Sequence, residues 1–404
     1  MRVGILGGTF DPVHDAHVYI ATKAAEEMAL DRVLFIPTGH PPHKLCPFAG
    51  REERLEMLRL AIGFDKRFEI SDIEVHRSGT TYTIETLLAL QESYGKNGEN
   101  AEFFYIIGSD TLAVLDKWRR FGEIAELCEF VVLKRPGEDG TIGEDIERLS
   151  QYGAKITVLE IDAPDISSTD IRIRAVRGES LSSLVADEVG EYIQKKAIYR
   201  YALLRDEIDG WLKNNLSQKR YAHILGVEHM SVELAERHGA DVMKASLAAL
   251  LHDCAKEFPI EKLAEYARRD GSELDEFLLN NAGLLHSFAG AAFAKEKFGV
   301  EDEEMLSAVR KHTMGSKQMS LLDKIIFLAD CIEPGRNDEW MDEARKLAQD
   351  DINAACVEAV VRTTASVMEY RYPLHPQNIE TYNDLLTNMR RNANGEERKE
   401  PERQ

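Results

Sequence analysis

Short apolar runs alternate with amphipathic stretches over the first half of the chain. Residues 3–6 and 103–107 are almost wholly apolar, which is typical of strands buried in a parallel sheet. Residues 51–62 repeat apolar positions at helical spacing. This alternation predicts an α/β domain built on a parallel sheet. Further strands are predicted at 32–37, 68–73, 129–133 and 156–161.

The pattern changes halfway along the chain. From Tyr201 onward there are few glycines and no β-rich runs, and the helical spacing of apolar positions predicts an all-α domain. The predicted linker is 196–205, so the two domains are expected at 1–197 and 203–390. Residues 391–404 have too little apolar surface to fold and are predicted to form a disordered tail.

The composition limits the partners. With 71 acidic and 50 basic residues the net charge is −21, which argues against a broad nucleic-acid surface and favours small ligands in local basic pockets. Five scattered cysteines without a C-x-x-C pair indicate reduced thiols. There is no signal-peptide pattern and no apolar run of the about 18 residues that a membrane helix needs, so we expect a soluble cytoplasmic protein. The composition leaves open whether the chain forms a homo-oligomer.

A glycine-rich turn joins the first predicted strand to the first predicted helix. In open α/β sheets such a turn, here Gly7-Gly8-Thr9-Phe10, presents backbone N–H groups to a phosphate. His14 and His17 lie three residues apart at the start of the helix and therefore share one face. Two imidazoles over a phosphate-binding turn suggest charge neutralisation on a triphosphate. The alternative is a Rossmann-like turn followed by two surface histidines.

Further residues of the first half have the chemistry of a nucleotide site. Lys44 can reach a phosphate from a proline-stiffened loop, although a solvated proline turn would look the same. Asp110 follows the strand 103–107, where a carboxylate binds ribose hydroxyls or caps a helix. Trp118 is able to stack on a planar ring or to pack in the core. Hydroxyl residues that begin helices are either anion sites or ordinary N-caps: Thr83, and Ser168 with Thr169 followed by Arg172.

The run GGTFDPVHDAH, with these later segments in order, resembles bacterial nicotinate mononucleotide adenylyltransferases over residues 1–197. Ala16 stands where that family has glycine, and its methyl group would narrow the approach of the nucleotide. The resemblance implies attack of the mononucleotide phosphate on the α-phosphorus of ATP, with Mg²⁺ present and pyrophosphate leaving. It implies that ATP is bound by Gly7, Gly8, Thr9, Phe10, His14, His17, Lys44, Ser168, Thr169 and Arg172, and the nicotinate nucleotide by Thr83, Asp110 and Trp118.

The second half carries histidines and carboxylates in apolar helical surroundings. Burying an unpaired histidine or carboxylate costs free energy. Because several such residues recur, they are expected to share one partner, and a metal ion could be that partner. Histidine with aspartate favours first-row ions such as Fe, Mn or Zn. For any single position a hydrogen-bonded core histidine is the alternative. The candidate ligands are His223, His252, Asp253, His286, His312 and Asp330.

The adjacent His252-Asp253 pair, with flanking histidines and a late aspartate, resembles HD-domain metal phosphohydrolases. Within them, residues 203–385 are similar to bacterial symmetrical diadenosine tetraphosphatases. The resemblance implies two ions, Fe or Mn, with Lys256 and Arg336 on the phosphates and Asp253 catalytic. It implies that His223, His252, Asp253 and Asp330 hold one ion, and His286 and His312 the other.

The two resemblances together predict a bifunctional enzyme. The first half would make deamido-NAD from ATP and nicotinate mononucleotide, and the second would split diadenosine tetraphosphate into two ADP molecules. The alternative is that one half is an inactive nucleotide-sensing module that regulates the other.

Overall fold

The computed structural model describes residues 1–39, 45–77, 81–98, 100–137, 140, 142–336 and 338–397. It divides into two compact units, Met1–Pro42 with Pro47–Ala202 and Leu203–Gln404 with His43–Cys46. The first unit is α/β and the second is helical throughout its described residues, which confirms the predicted fold class. The functional boundaries 1–197 and 203–390 stay predictions.

Six strands form one parallel sheet in the first unit. Its spatial order is β3-β2-β1-β4-β5-β6, and every neighbouring pair is parallel. The strands are β1 (Arg2–Gly8), β2 (Arg32–Pro37), β3 (Phe68–Ile70), β4 (Glu102–Gly108), β5 (Cys128–Lys134) and β6 (Ile156–Glu160). The strand predicted at 68–73 ends early because Val75 and His76 donate backbone N–H groups to the Asp72 carbonyl and form a turn.

The order of the strands reverses between β1 and β4. Gly4 of β1 is in register with Val33 of β2 on one side and with Phe104 of β4 on the other. In a sheet of this kind the crevice beyond the carboxyl ends of the two central strands is open to a ligand. The apolar faces of the central strands are buried, with Val3, Ile5 and other side chains in the core.

Helices cover the sheet of the first unit. They are α1 (Asp15–Glu27), α2 (Arg51–Ile62), α3 (Thr83–Lys96), α4 (Ser109–Leu112), α5 (Phe121–Leu127), α6 (Ile142–Ser150), α7 (Ser168–Arg177) and α8 (Asp187–Lys196). Helix α7 begins as its hydroxyl residues predict, because the Ser167 side chain accepts the Thr169 backbone N–H.

The second unit is built from helices only within its described residues. They are α9 (Ala202–Asn215), α10 (Gln218–His238), α11 (Val242–Leu251), α12 (Ile260–Asp270), α13 (Glu276–Leu279), α14 (Ala282–Phe298), α15 (Glu303–Lys311), α16 (Leu321–Ile332), α17 (Glu339–Asp350), α18 (Ile352–Glu369) and α19 (Pro376–Glu397). Helix α10 packs on α11 and α16, and α15 packs on α14 and α16. Helix α19 extends into the stretch 391–404, whose predicted disorder stays a prediction.

The structure bears on two predictions from the composition, which concern the cysteines and membrane-spanning helices. All five cysteines are buried free thiols. Within the described ranges, the helices are too short or too polar to cross a bilayer.

Candidate active sites

The turn between β1 and α1, residues 9–14, is held by buried polar side chains. Arg54 is buried and donates to the Thr9 carbonyl at 3.0 Å. The Asp11 carboxylate is also buried and accepts the Tyr199 hydroxyl at 3.0 Å. It also accepts the backbone N–H groups of residues 48 and 49 at 2.6 and 3.0 Å. These bonds fix the backbone of the turn before any ligand is bound.

The hydroxyl and guanidinium groups at the start of α7 lie beside this turn. Ser168 Oγ donates to the Pro12 carbonyl at 3.1 Å, and Arg172 donates to the Asp11 carbonyl at 2.8 Å. A second nitrogen of Arg172 donates to Thr169 Oγ1 at 3.0 Å. The structure therefore brings this segment to the turn. Its role towards ATP stays a proposal.

His14 and His17 face each other at the start of α1. Their rings stack with centroids 3.7 Å apart, and His17 Nδ1 accepts the His14 backbone N–H at 3.2 Å. The neutral His17 ring therefore carries its proton on Nε2. Phe10 is buried and packs its ring edgewise on His17, with centroids 5.1 Å apart. Phe10 thus supports His17 from the protein side.

Both imidazoles are poor bases in this arrangement. Burial lowers the pKa of His14 to about 4. Burial and the neighbouring His14 lower the pKa of His17 to about 3. His14 Nδ1 is buried and has no hydrogen-bond partner within the described part of the chain. The pair is therefore neutral at neutral pH and gains charge only when an anion raises the pKa of a ring.

This charge state can be tested by NMR of protein labelled in the histidine rings. We expect His14 and His17 to stay neutral from pH 8 down to about 5, well below the usual titration near 6.5, because both pKa values are depressed. His17 should show the Nε2–H tautomer. Addition of ATP should raise both pKa values, since phosphate charge stabilises imidazolium. Titration of both rings near pH 6.5 without ligand would contradict the stacked, buried arrangement.

A cavity of about 680 Å³ opens beyond the carboxyl ends of β1 and β4. It lies at the position where the strand order reverses, as the fold predicts. Some of the predicted ATP-binding residues do not line this cavity. They are Phe10, which is buried, and Ser168, Thr169 and Arg172. Lys44 lies outside the described residues. The predicted site residues that line the cavity are Gly7, Gly8, Thr9, His14, His17, Thr83, Asp110 and Trp118.

Sequence reasoning missed other residues of the cavity wall, among them Tyr105 and Glu74. Tyr105 belongs to a strand that we interpreted only as apolar, and its hydroxyl would lie 2.9 Å from a Cβ at Gly7, so no side chain fits there. Glu74 accepts the hydroxyls of Thr86 at 2.8 Å and Thr81 at 3.3 Å, and burial raises its pKa. The hydroxyl of Tyr105 within the otherwise apolar run 103–107 is a signal in the sequence. A carboxylate in an irregular turn leaves no such signal.

Ala16 lies in the wall of this cavity and is only 5% exposed. We expect Ala16→Gly to lower the KM for ATP a few-fold, because loss of the methyl group widens the approach to the turn. Ala24→Gly is the matched control, since Ala24 is buried in the same helix away from the cavity wall. It should cost helix stability without lowering the KM. An unchanged KM in Ala16→Gly would show that the methyl group does not obstruct the nucleotide.

In the second unit, three helices and the C-terminal ends of two others carry the predicted metal ligands. His223 lies in α10, His286 in α14 and Asp330 in α16. His252 and His312 are the C-cap residues of α11 and α15. We call His223, His252, Asp253, His286, His312 and Asp330 the donor cluster.

The Asp253 carboxylate lies between the four imidazoles of the donor cluster. Its Oδ1 is 3.0 Å from His286 Nε2 and 3.7 Å from His312 Nε2. Its Oδ2 is 3.5 Å from His252 Nε2 and 3.8 Å from His223 Nε2. A carboxylate with different imidazoles on its two oxygens has the geometry to bridge two ions.

The donor cluster contains two sets of three donors, each set within 4.8 Å: His223 with His252 and Asp330, and His252 with Asp253 and His312. His252 belongs to both sets. The six side chains predicted as ligands therefore converge, with Asp253 also joining His286. Their assignment to two individual ions stays a proposal.

Backbone carbonyls orient two of the imidazoles. His252 Nδ1 lies 2.6 Å from the Ala249 carbonyl, and His312 Nδ1 lies 2.7 Å from the Val309 carbonyl. A carbonyl only accepts, so each Nδ1 carries the proton and each Nε2 offers its lone pair to the cluster. Burial also lowers the pKa of His252 to about 3, so this ring is neutral at neutral pH.

The chemistry of these donors fits a divalent metal. His252 Nε2 is buried without a hydrogen-bond partner within the described residues. His223 Nε2 and Asp253 Oδ1 contact other members of the donor cluster, Asp330 at 3.1 Å and His286 at 3.0 Å. Leaving a buried ring nitrogen unpaired costs free energy, and one or two cations would bind it together with the other donors. Imidazole nitrogens with carboxylate oxygens suit first-row ions. The donor cluster is thus a candidate metal centre.

Cationic side chains surround the cluster. Lys256 Nζ is 3.1 Å from His286 Nε2, and Arg336 donates to Asp330 at 2.8 Å. Sequence reasoning named both but missed Arg220, which pairs with Asp253. Arg220 precedes His223 by three residues on α10, so helical spacing was an available signal.

Two family models match the chain: Cytidylyltransferase-like over residues 5–174 and HD domain over residues 220–335. A probable nicotinate-nucleotide adenylyltransferase/Ap4A hydrolase of Mycoplasma genitalium is 29% identical, over 88% of this chain and 95% of the relative. A probable nicotinate-nucleotide adenylyltransferase of Pelobacter propionicus is 38% identical, over 49% of this chain and 98% of the relative.

Among solved structures, a predicted HD superfamily hydrolase involved in NAD metabolism, from Clostridium acetobutylicum, is 43% identical. The match covers 45% of this chain and 97% of that one, with a TM-score of 0.44. This chain covers nearly the whole length of the Pelobacter relative. The chain therefore belongs to the nicotinate-nucleotide adenylyltransferase family and continues, in the same polypeptide, into an HD domain.

Proposed function

We propose that the chain is a bifunctional enzyme. One activity transfers the adenylyl group of ATP to nicotinate mononucleotide and yields deamido-NAD and pyrophosphate. The other hydrolyses diadenosine tetraphosphate to two ADP molecules. The observation that carries the proposal is that each unit holds its own candidate site, the cavity lined by His14 and His17 in one and the donor cluster in the other. The Mycoplasma genitalium relative, similar over 88% of this chain, is named for both activities.

In the transferase unit, catalysis works by positioning and charge stabilisation. The mononucleotide phosphate oxygen forms a bond to the α-phosphorus of ATP while the bond to the β-phosphate oxygen breaks and pyrophosphate leaves. Backbone N–H groups of the β1–α1 turn bind the phosphates. His14 and His17 donate hydrogen bonds to them and take up protons as negative charge collects. Mg²⁺ would enter with ATP.

The acceptor nucleotide occupies the other end of the cavity. Thr83 begins α3, whose free N–H groups favour an anion such as the nicotinate carboxylate. Asp110 is placed to accept ribose hydroxyls. Trp118 lies in the wall with its ring edge on Tyr105, centroids 5.7 Å apart, and offers a face to the pyridine ring.

In the HD unit, the donor cluster would hold two first-row ions, for which we propose Fe or Mn. Bound ions supply an activated water and neutralise phosphate charge. The chain's own part is to hold the donors in fixed directions. Lys256 and Arg336 lie at the rim of the cluster and bind the phosphates that are not cleaved.

The test uses the intact chain, purified anaerobically, with metal analysis before the assays. One assay supplies ATP with nicotinate mononucleotide and measures deamido-NAD. The other supplies diadenosine tetraphosphate with Mn²⁺ or Fe²⁺ and measures ADP, with a chelator as control. Product in both assays supports the bifunctional enzyme. Product in only one assay would favour the alternative in which the inactive unit senses a nucleotide. Because Ala16 replaces the family's glycine, the transferase is the unit more readily lost.

A further inference from the structure

A buried carboxylate lies behind the donor cluster and contacts one of its histidines. Glu333 is 5% exposed, and its Oε1 is 3.3 Å from His223 Nδ1. The other nitrogen of the same ring, Nε2, is 3.1 Å from Asp330 in the cluster. The His223 imidazole therefore spans two carboxylates, one inside the cluster and one behind it.

Helix α10 is shaped to admit this carboxylate. Gly226 lies three residues after His223 and so shares its face of the helix. A Cβ at Gly226 would clash with Glu333 Oε2 and would lie 3.2 Å from Glu333 Cδ. Even an alanine side chain would displace the carboxylate. The glycine thus keeps the space that Glu333 fills.

The segment 332–336 that carries Glu333 is fixed from its other side. Arg345 donates to the carbonyls of Ile332 at 2.7 Å, Glu333 at 2.9 Å and Arg336 at 2.6 Å. The Gly335 backbone N–H donates to Glu333 Oε2 at 2.5 Å. Main chain and side chain are both held, so Glu333 approaches His223 in one defined position.

We propose that Glu333 is a positioning residue for His223 and that Gly226, which has no side chain, leaves the space for the Glu333 carboxylate. The carboxylate accepts the proton on His223 Nδ1, which fixes the tautomer and the ring so that Nε2 faces the metal position. The inference rests on the proposed metal centre of the HD unit. Loss of such a partner of a ligating histidine typically weakens metal binding by about 10- to 100-fold.

The test measures the dissociation constant of Mn²⁺ on the intact chain by electron paramagnetic resonance. We expect Glu333→Ala to raise it by about 100-fold and Glu333→Gln by about 10-fold, since the amide keeps one acceptor oxygen. Gly226→Ala should raise it as well, although alanine favours helix more than glycine. Glu339→Gln is the matched control at an exposed position, and it should leave Mn²⁺ binding unchanged.

The outcomes separate the inference from the function on which it rests. If the wild-type chain binds no Mn²⁺, the proposed metal centre itself is wrong. If the wild type binds Mn²⁺ and the Glu333 and Gly226 variants bind it equally tightly, the metal centre stands and the positioning role is refuted. Weaker binding in all three variants, with melting temperatures close to the wild type, supports the role. Gly226→Ala keeps the test decisive if removal of Glu333 prevents folding.

Discussion

Replacement of Asp253 by asparagine is expected to strip the HD unit of its metals and to abolish hydrolysis of diadenosine tetraphosphate. Asp253 faces all four imidazoles of the donor cluster. Burial opposes ionisation of this carboxyl, but its interactions with His252, His286 and His312 outweigh burial and hold its pKa well below the usual range. Asparagine keeps the shape of the side chain and removes the charge.

Metal content should therefore fall from about two ions per chain towards zero. Hydrolysis should fall by more than the about 100-fold that loss of a hydrogen-bond partner of a ligand costs. The measurement is elemental analysis of the purified variant followed by the rate of ADP release. Adenylyl transfer by the same preparation is the internal control and should be unchanged. Full metal content in Asp253→Asn would exclude Asp253 as a shared ligand.

The second large effect is expected from His17→Ala, which should slow adenylyl transfer by about 100- to 1,000-fold. The reason is the loss of one preorganised donor where negative charge collects on the phosphates. The ring is half-buried and lies in the cavity wall, so its removal leaves the sheet intact. The β1–α1 turn loses the bond from the His14 backbone N–H but keeps those made by Asp11 and Arg54. The rate of deamido-NAD formation with saturating substrates measures the effect.

Two controls accompany this variant. His76→Ala removes an exposed histidine of the same unit and should leave both activities unchanged. Hydrolysis of diadenosine tetraphosphate by His17→Ala should also equal that of the wild type. A transfer rate near the wild-type value would remove His17 from the catalytic site, whatever the position of His14.

Much of the fold follows from the spacing of apolar residues. The continuous apolar runs became the central parallel strands, and the amphipathic stretch 51–62 became α2 with those bounds. The end of β3 was missed because a backbone turn at Asp72, which apolar spacing does not report, stops the strand. The change to an all-α pattern after Tyr201 was readable because helical spacing persists there without strand-like runs.

Site residues could be predicted where the side-chain type is unusual for its surroundings. They could not be predicted where only tertiary contacts bring two side chains together. Buried histidines and aspartates at helix positions stand out in a sequence, and the six of the donor cluster do converge. Glu333 is one of 71 acidic residues, and only the fold places it against His223. The low pKa values of His14 and His17 are likewise a result of burial, which the spacing of residues in the sequence does not report.

The two imidazoles that cap α11 and α15 have a consequence for how the HD unit handles its ions. Their Nδ1 bonds are made to carbonyls of their own helix ends, and the partial negative charge of those ends attracts cations. Orientation of these donors is thus built by the secondary structure. A chelator should remove the ions without loss of the helical circular dichroism signal. The metal-free protein should bind ions again when a divalent salt is added. The identity of the ion recovered from cells should vary with the metals supplied to them.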